Sequence, residues 1–225
     1  MTKPEPMDCG PGRPIHQKRS QETYDAMLQA GFELIEETGL ERLRVADVAL
    51  RAGYSVGSFY SRFADKDEFF AALLGKHLEK RNAALQYIFT ERSADTLVEG
   101  LIADMLQYFA DHRAFWRTAL LLAATDAVIH TRIEAQSDRL AERFLRRLQE
   151  DLARRLRVAE KERIRFAFRQ LVSFMNYHTM GLPVIAACPD ARLHGYLVHS
   201  FKASACLNEL SATSAQAKRS GSAKE

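Results

Sequence analysis

The 225-residue chain reads as an all-α protein. Apolar residues recur at spacings of three and four from Tyr24 to Ala205. No succession of alternating apolar and polar segments is bounded by hairpin turns. Gly39, Gly53, Gly181 and Pro183 stand where the helical stripes end, as left-handed stops and a helix breaker should. About nine helices are expected. They form an N-terminal three-helix unit with a helix-turn-helix and a C-terminal helical bundle.

Element by element, residues 1–14 carry four of the six prolines and read as a flexible leader; the fold is expected to begin near Ser20, so 1–19 form an arm. Tyr24, Met27, Leu28, Phe32 and Ile35 share one face of a first helix, which Gly39 stops. Val45, Val48, Ala49 and Ala52 make a short helix, Gly53 a turn of positive φ, and Val56 to Arg62 a second short helix capped by Ser55. That unit covers 20–66. The span 67–210 is the bundle: a helix from Asp67 to Phe89, a long amphipathic stripe from Ile133 through Leu140, Phe144, Leu148 and Leu152 to Leu156, a helix from Arg163 to Leu182, and a last one from Ala191 to Leu207. Residues 211–225 hold no large apolar side chain after Leu210 and read as a disordered tail.

Composition narrows the function classes. With 47% hydrophobic and 27% charged residues, disorder throughout, collagen and disulfide scaffolds are excluded. Three widely spaced cysteines, Cys9, Cys188 and Cys206, support neither a disulfide framework nor a thiolate metal site, so a reducing cytoplasm is expected. No export signal or anchor is read, and no membrane partner is expected. The net charge of +3 is too small to announce a polyanionic partner, so any basic footprint is local. Such a footprint exists. Between Arg42 and Lys66 five basic residues face two acids, and Arg13, Lys18 and Arg19 add charge upstream.

The second short helix is the unusual element. Val56, Gly57, Ser58, Tyr60 and Ser61 are small or hydrogen-bonding, and none carries an acid that would repel phosphate, so this face suits a major groove. Taken with Val45-Ala46-Asp47-Val48-Ala49, Ala52-Gly53-Tyr54-Ser55, Phe59, Arg62-Phe63 and Asp65-Lys66-Asp67-Glu68, the stretch from Ser20 to Leu74 resembles the DNA-binding domain of the TetR family of transcriptional regulators. The resemblance implies that Tyr60 and Lys66 meet backbone phosphates, that Val56, Gly57 and Ser58 lie nearest the bases, and that Phe59 and Phe63 are buried. Ser55, Ser61 and Arg44 complete the expected DNA-facing set. A helix N-terminus independently favours an anion beside Lys66. Asp65 and Glu68 give that helix a capping-box-like start. The chain departs from the family pattern with Arg44 where Thr is usual and with Tyr54 where a small aliphatic residue is usual. Gly12-Arg13-Pro14 resembles the core of a minor-groove arm, and equally a plain leader.

Other motifs have simpler readings. Gly53-Tyr54-Ser55-Val56-Gly57 matches a nucleophile elbow but lacks the strand and sheet it requires, so no catalytic residue is expected and the chain is read as a non-enzyme. His130 and Glu134 sit four apart without further ligands, so neither metal nor cofactor is expected. The mixed charges from Asp138 to Arg169 fit a solvated face. Met105, Phe109, Trp116, Phe174, Tyr177 and His178 either line an apolar ligand pocket or form plain core. The whole predicts a DNA-binding regulator, a repressor that binds a palindromic operator as a homodimer under control of a small apolar or amphipathic effector. The alternative is a ligand-independent architectural DNA-binding dimer.

Overall fold

A computed structural model of the chain describes residues 13–92, 94–181 and 190–210. Among these residues every regular element is helical: α1 (Arg13–Thr38), a single 3-10 turn (Leu40–Arg42), α2 (Val45–Ala52), α3 (Val56–Tyr60), α4 (Lys66–Glu91), α5 (Ala94–Asp111), α6 (Arg113–Ala123), α7 (Ala127–Leu152), α8 (Val158–Thr179) and α9 (Asp190–Ser204). The all-α expectation holds. The tail after Leu210 and the leader before Arg13 lie outside the described residues.

Two compact units divide the chain at Leu73 and Leu74. In the first, α1 packs on α2 and α2 on α3. Met27, Leu28, Ile35, Val48, Phe59, Phe63, Phe69 and Phe70 are buried. Ring centroids of Phe59, Phe63 and Phe69 lie 5.0 to 5.1 Å apart, the spacing of well-packed aromatic pairs. Gly31 makes room for this cluster, since a Cβ there would come within 2.3 Å of Phe69 Cζ. The boundary was expected at residue 66 and falls later, because Phe69, Phe70 and Leu73 at the start of α4 are buried with the helix-turn-helix. The expected flexible arm is also shortened: α1 starts at Arg13, not near Ser20. Pro14 sits in the first turn, where its missing N–H breaks no helical hydrogen bond.

In the second unit α5, α8 and α9 pack together and α7 packs on α6 and α8. Leu85, Leu101, Met105, Leu140, Phe144, Leu148, Phe168, Leu171, Met175 and Phe201 are buried at the centre. The long stripe read to Leu156 is split. α7 stops at Leu152 with Ala153 left-handed at φ 50°, and Leu156 is buried beyond the turn. There the Arg154 guanidinium donates twice to Glu160, each at 3.0 Å, and Glu160 also accepts from the Arg157 N–H, so the turn closes onto the start of α8. α8 ends at Thr179 rather than Leu182, which lies outside the described residues.

Candidate nucleic-acid interface and ligand cleft

The turn between α2 and α3 is built as its residue types require. Gly53 adopts φ 78° and ψ 27°, a left-handed conformation that a side chain would strain. Ser55 Oγ accepts from the Ser58 N–H at 3.1 Å and meets Ser58 Oγ at 3.0 Å, so the hydroxyl caps α3. Phe59 faces the core fully buried, which turns Val56, Gly57 and Tyr60 outward; Val56 is 42% and Tyr60 56% exposed. Ser61 Oγ donates to the Ser58 carbonyl, and the Arg62 guanidinium donates to that same carbonyl, each at 2.9 Å. Arg62 thus neutralises the negative end of α3. Ser58 is half-buried by these contacts and offers less to a groove than its neighbours.

Two expected DNA contacts are already engaged. Arg44 precedes α2 without capping it, and its guanidinium grips Asp47 through two bonds of 2.7 and 3.2 Å while staying exposed. The start of α4 is similarly occupied. Asp65 Oδ1 accepts from the N–H groups of Asp67 and Glu68 at 3.0 and 2.8 Å, and the Glu68 carboxylate accepts from the Ala64 N–H at 2.6 Å. The capping-box-like start is present, with Glu68 reaching the Ala64 rather than the Asp65 N–H, but it consumes N–H groups that were expected to await an anion. What remains for phosphate is the exposed Lys66 ammonium. Arg13 is the first residue of α1, where an extended arm was expected. Leu50, 80% exposed on α2, was not singled out from sequence, and Tyr54, noted there only as a departure from the family pattern, is 38% exposed in the turn. A large apolar residue with no inward partner in the α2 pattern is the signal that would have marked Leu50.

The second unit holds a narrow cleft of about 50 Å³ lined by Met105, Phe109, Trp116 and Leu140 with Leu78, Arg81, Tyr108, Gln136 and Asn176 among its other walls. Met105, Phe109 and Trp116 were expected here. Phe174 and Tyr177 line neither this cleft nor its neighbours; Tyr177 is 39% exposed, and Phe174 packs at the core's edge, stacked on His178. His178 lies instead in a separate depression with Arg113 and His194.

Beside the cleft, sequence reading missed a polar cluster. Arg81, buried, is ion-paired with Asp104 and lies 4.0 Å over the Tyr108 ring. Tyr108 and His77 are hydrogen-bonded to one another, and His112 packs against both rings. Burial, with His112, Lys80 and Arg81 adding positive charge, pushes the His77 pKa down to about 3. Arg81 was legible in principle: it falls on the Leu74, Leu78, Leu85 stripe of α4, where a charge must find a buried partner. His130 pairs with Glu134 at 3.3 Å, both exposed.

Residues 27–73 match the sequence profile of the bacterial regulatory proteins of the tetR family. Over those residues the chain is similar to the DNA-binding domain of the TetR family. The uncharacterized HTH-type transcriptional regulator YwcC of Bacillus subtilis (strain 168) is 32% identical over 72 residues, which is 32% of each chain, so the match spans about a third of that relative. A crystal structure of a transcriptional regulator from Rhodococcus sp. Rha1 superposes with TM-score 0.60 at 19% identity over 82% of this chain and 94% of that one. FadR from Bacillus subtilis, crystallised in complex with stearoyl-CoA, superposes with TM-score 0.60 at 15% identity over 79% and 97%. These structures share the fold of this chain. Its first unit carries the helix-turn-helix segment that matches the family's sequence profile. Among the described residues no helix is long and apolar enough to cross a membrane.

Proposed function

We propose that this protein is a cytoplasmic repressor that binds a palindromic operator as a homodimer and changes operator affinity when a small apolar or amphipathic effector enters its second unit. One observation carries the reading: the outward face of α3, with Val56, Gly57 and Tyr60 exposed and no acid among them, beside the exposed Lys66 ammonium. The paired state supports the rest. One helix-turn-helix contacts too little DNA for good specificity, whereas two related by a dyad read half-sites about one helical turn apart, roughly 34 Å. Phe166 and Tyr177 on α8 and Tyr196 on α9 are large, exposed and suited to an interface between copies. Tyr177, expected in the ligand pocket, is reassigned to that face. Leu78, Arg81 and Leu85 of α4 line the cleft, and α4 begins in the DNA-binding unit, so an effector that favours one cleft width can shift the population competent for operator.

Fluorescence anisotropy against a selected duplex pool, comparing the native protein with Tyr60→Ala at several salt concentrations, tests the reading. Tight, palindromic, salt-sensitive binding that the variant loses is the expected result; absence of any selected sequence rejects the reading. A second reading, a ligand-independent architectural DNA-binding dimer, is favoured by the small cleft volume, since drug-sized ligands occupy roughly 300 to 1,000 Å³. It predicts operator binding that no small molecule alters.

A further inference from the structure

The narrow cleft has a neighbour with which it shares a wall. Ile133 and Ser137 of α7 and Val172 and Asn176 of α8 line both it and an outer cavity of about 550 Å³. The inner walls are mostly apolar, with Met105, Phe109, Trp116 and Leu140 beside an Arg81 already paired with Asp104, whereas the outer ones include His130, Glu134, Asp138, Arg169 and Ser173. Lining therefore passes from apolar to charged through a neck between two helices, the polarity gradient an amphiphile presents end to end. Trp116 adds a separate observation at the inner end: it is 4% exposed, and its indole N–H is buried with no hydrogen-bond partner. Native interiors rarely leave a donor so, which marks this end as incomplete.

We infer that the two cavities form one binding site, entered between α7 and α8, for a linear amphiphile with a cationic head. The apolar chain passes Ser137 and Asn176 and seats against Trp116, while the head stays at Glu134 and Asp138. The inference rests on the effector-controlled reading above and deepens it. Two carboxylates face one guanidinium in the outer cavity, so the mouth favours a positive head over a negative one, and His130, 3.3 Å from Glu134, is the neighbour such a head displaces. Glu134 keeps 66% of its side chain exposed, so water and salt screen the attraction and the preference is several-fold rather than orders of magnitude. The inner cleft must widen to admit a chain. Met105 and Phe109 form its movable wall, and an unbranched thioether such as Met adapts readily to a new neighbour.

Trp116 is the only tryptophan of the chain, so its emission reports the inner end directly. The full-length protein is titrated with decyltrimethylammonium, decanol and decanoate, all below micelle-forming concentration, following Trp116 emission and heat by calorimetry. The cation is expected to bind about fivefold more tightly than the alcohol, and decanoate more weakly than either. The double variant Glu134→Gln with Asp138→Asn removes the cation's advantage and leaves decanol affinity unchanged. Ser137→Phe narrows the neck and suppresses the Trp116 response to all three; the charge variant, altered only at exposed positions, keeps the test decisive if this one misfolds. Lack of any saturable response, decanoate binding as tightly as the cation, or a preference that survives the double variant overturns the inference. Operator titration of the same preparations separates the two readings: operator binding without the head preference overturns this site and leaves the regulator standing, while absence of operator binding rejects the regulator and leaves the amphiphile titration to decide the site.

Discussion

Lys66 and Asp65 stand side by side at the start of α4 and act in opposite senses toward an anion. Because the Asp65 carboxylate already accepts from two N–H groups there, attraction for a phosphate falls to the Lys66 ammonium alone. Lys66→Ala is therefore expected to weaken operator binding across all sequences and to reduce the salt slope by about one per half-site, with thermal stability unchanged; anisotropy from 50 to 200 mM salt, as an order-of-magnitude window, reads this. An unchanged slope would assign Lys66 to the helix only. His77 gives a prediction in pH. Its pKa lies at about 3 in the folded protein against 6.5 for the free group. Above pH 6.5 both states are neutral and the residue adds nothing. Between 6.5 and 3 the unfolded chain takes up a proton that the folded one refuses, so stability falls as pH falls, by about 1.4 kcal/mol per pH unit at most. Urea unfolding of the native protein and of His77→Gln at pH 7, 6, 5 and 4 is expected to show the steeper loss in the native protein. His77 and Arg81 lie on α4 and Tyr108 and Asp104 on α5, so nothing in the spacing along either helix announces their meeting, whereas the Ser55 and Gly53 geometry is local and was legible.

α3 is five residues long, too short to persist as an isolated helix. Its cap at Ser55 and the burial of Phe59 hold it in place. Ser55→Ala leaves the Ser58 N–H without its side-chain partner and is expected to lower stability by about 1 kcal/mol, together with a larger loss of operator affinity because the reading face tilts. Denaturant unfolding and anisotropy on the same variant check both; affinity falling no more than stability would make the cap a purely structural feature. α1 and α7 show why element ends were harder to read than their existence. Pro14 reads as a breaker in composition but is harmless in a first turn, and Ala153 carries a left-handed φ that sequence assigns to Gly. Leu156 continued the apolar stripe of α7 by coincidence of spacing, because a buried turn residue and a helical one are equally apolar.

At the scale of the whole molecule, the proposed dimer rests on α8 and α9. Phe166 and Tyr177 are eleven residues apart on α8, three helical turns, and so share one face. Phe166→Glu places a charge at a position 56% exposed in the single chain, which costs the monomer's stability little but opposes a self-complementary interface. Size exclusion with light scattering is expected to show a dimer for the native protein and a monomer for the variant, with operator affinity lost while helicity is retained. A dimeric variant would move the interface elsewhere.

The amino-acid sequence by itself determined the all-α class, the helix-turn-helix with its Gly53 turn and Ser55 cap, and the TetR-family character of residues 27–73, since each rests on short-range periodicity, backbone preference or a compact motif. Only tertiary structure decided that Tyr177 faces outward and that Arg81, Asp104, His77 and Tyr108 form one partly buried network. The physical reason is common to both: a polar side chain's role depends on which partner reaches it, and here those partners are set by how helices pack rather than by the residues that flank it in the chain.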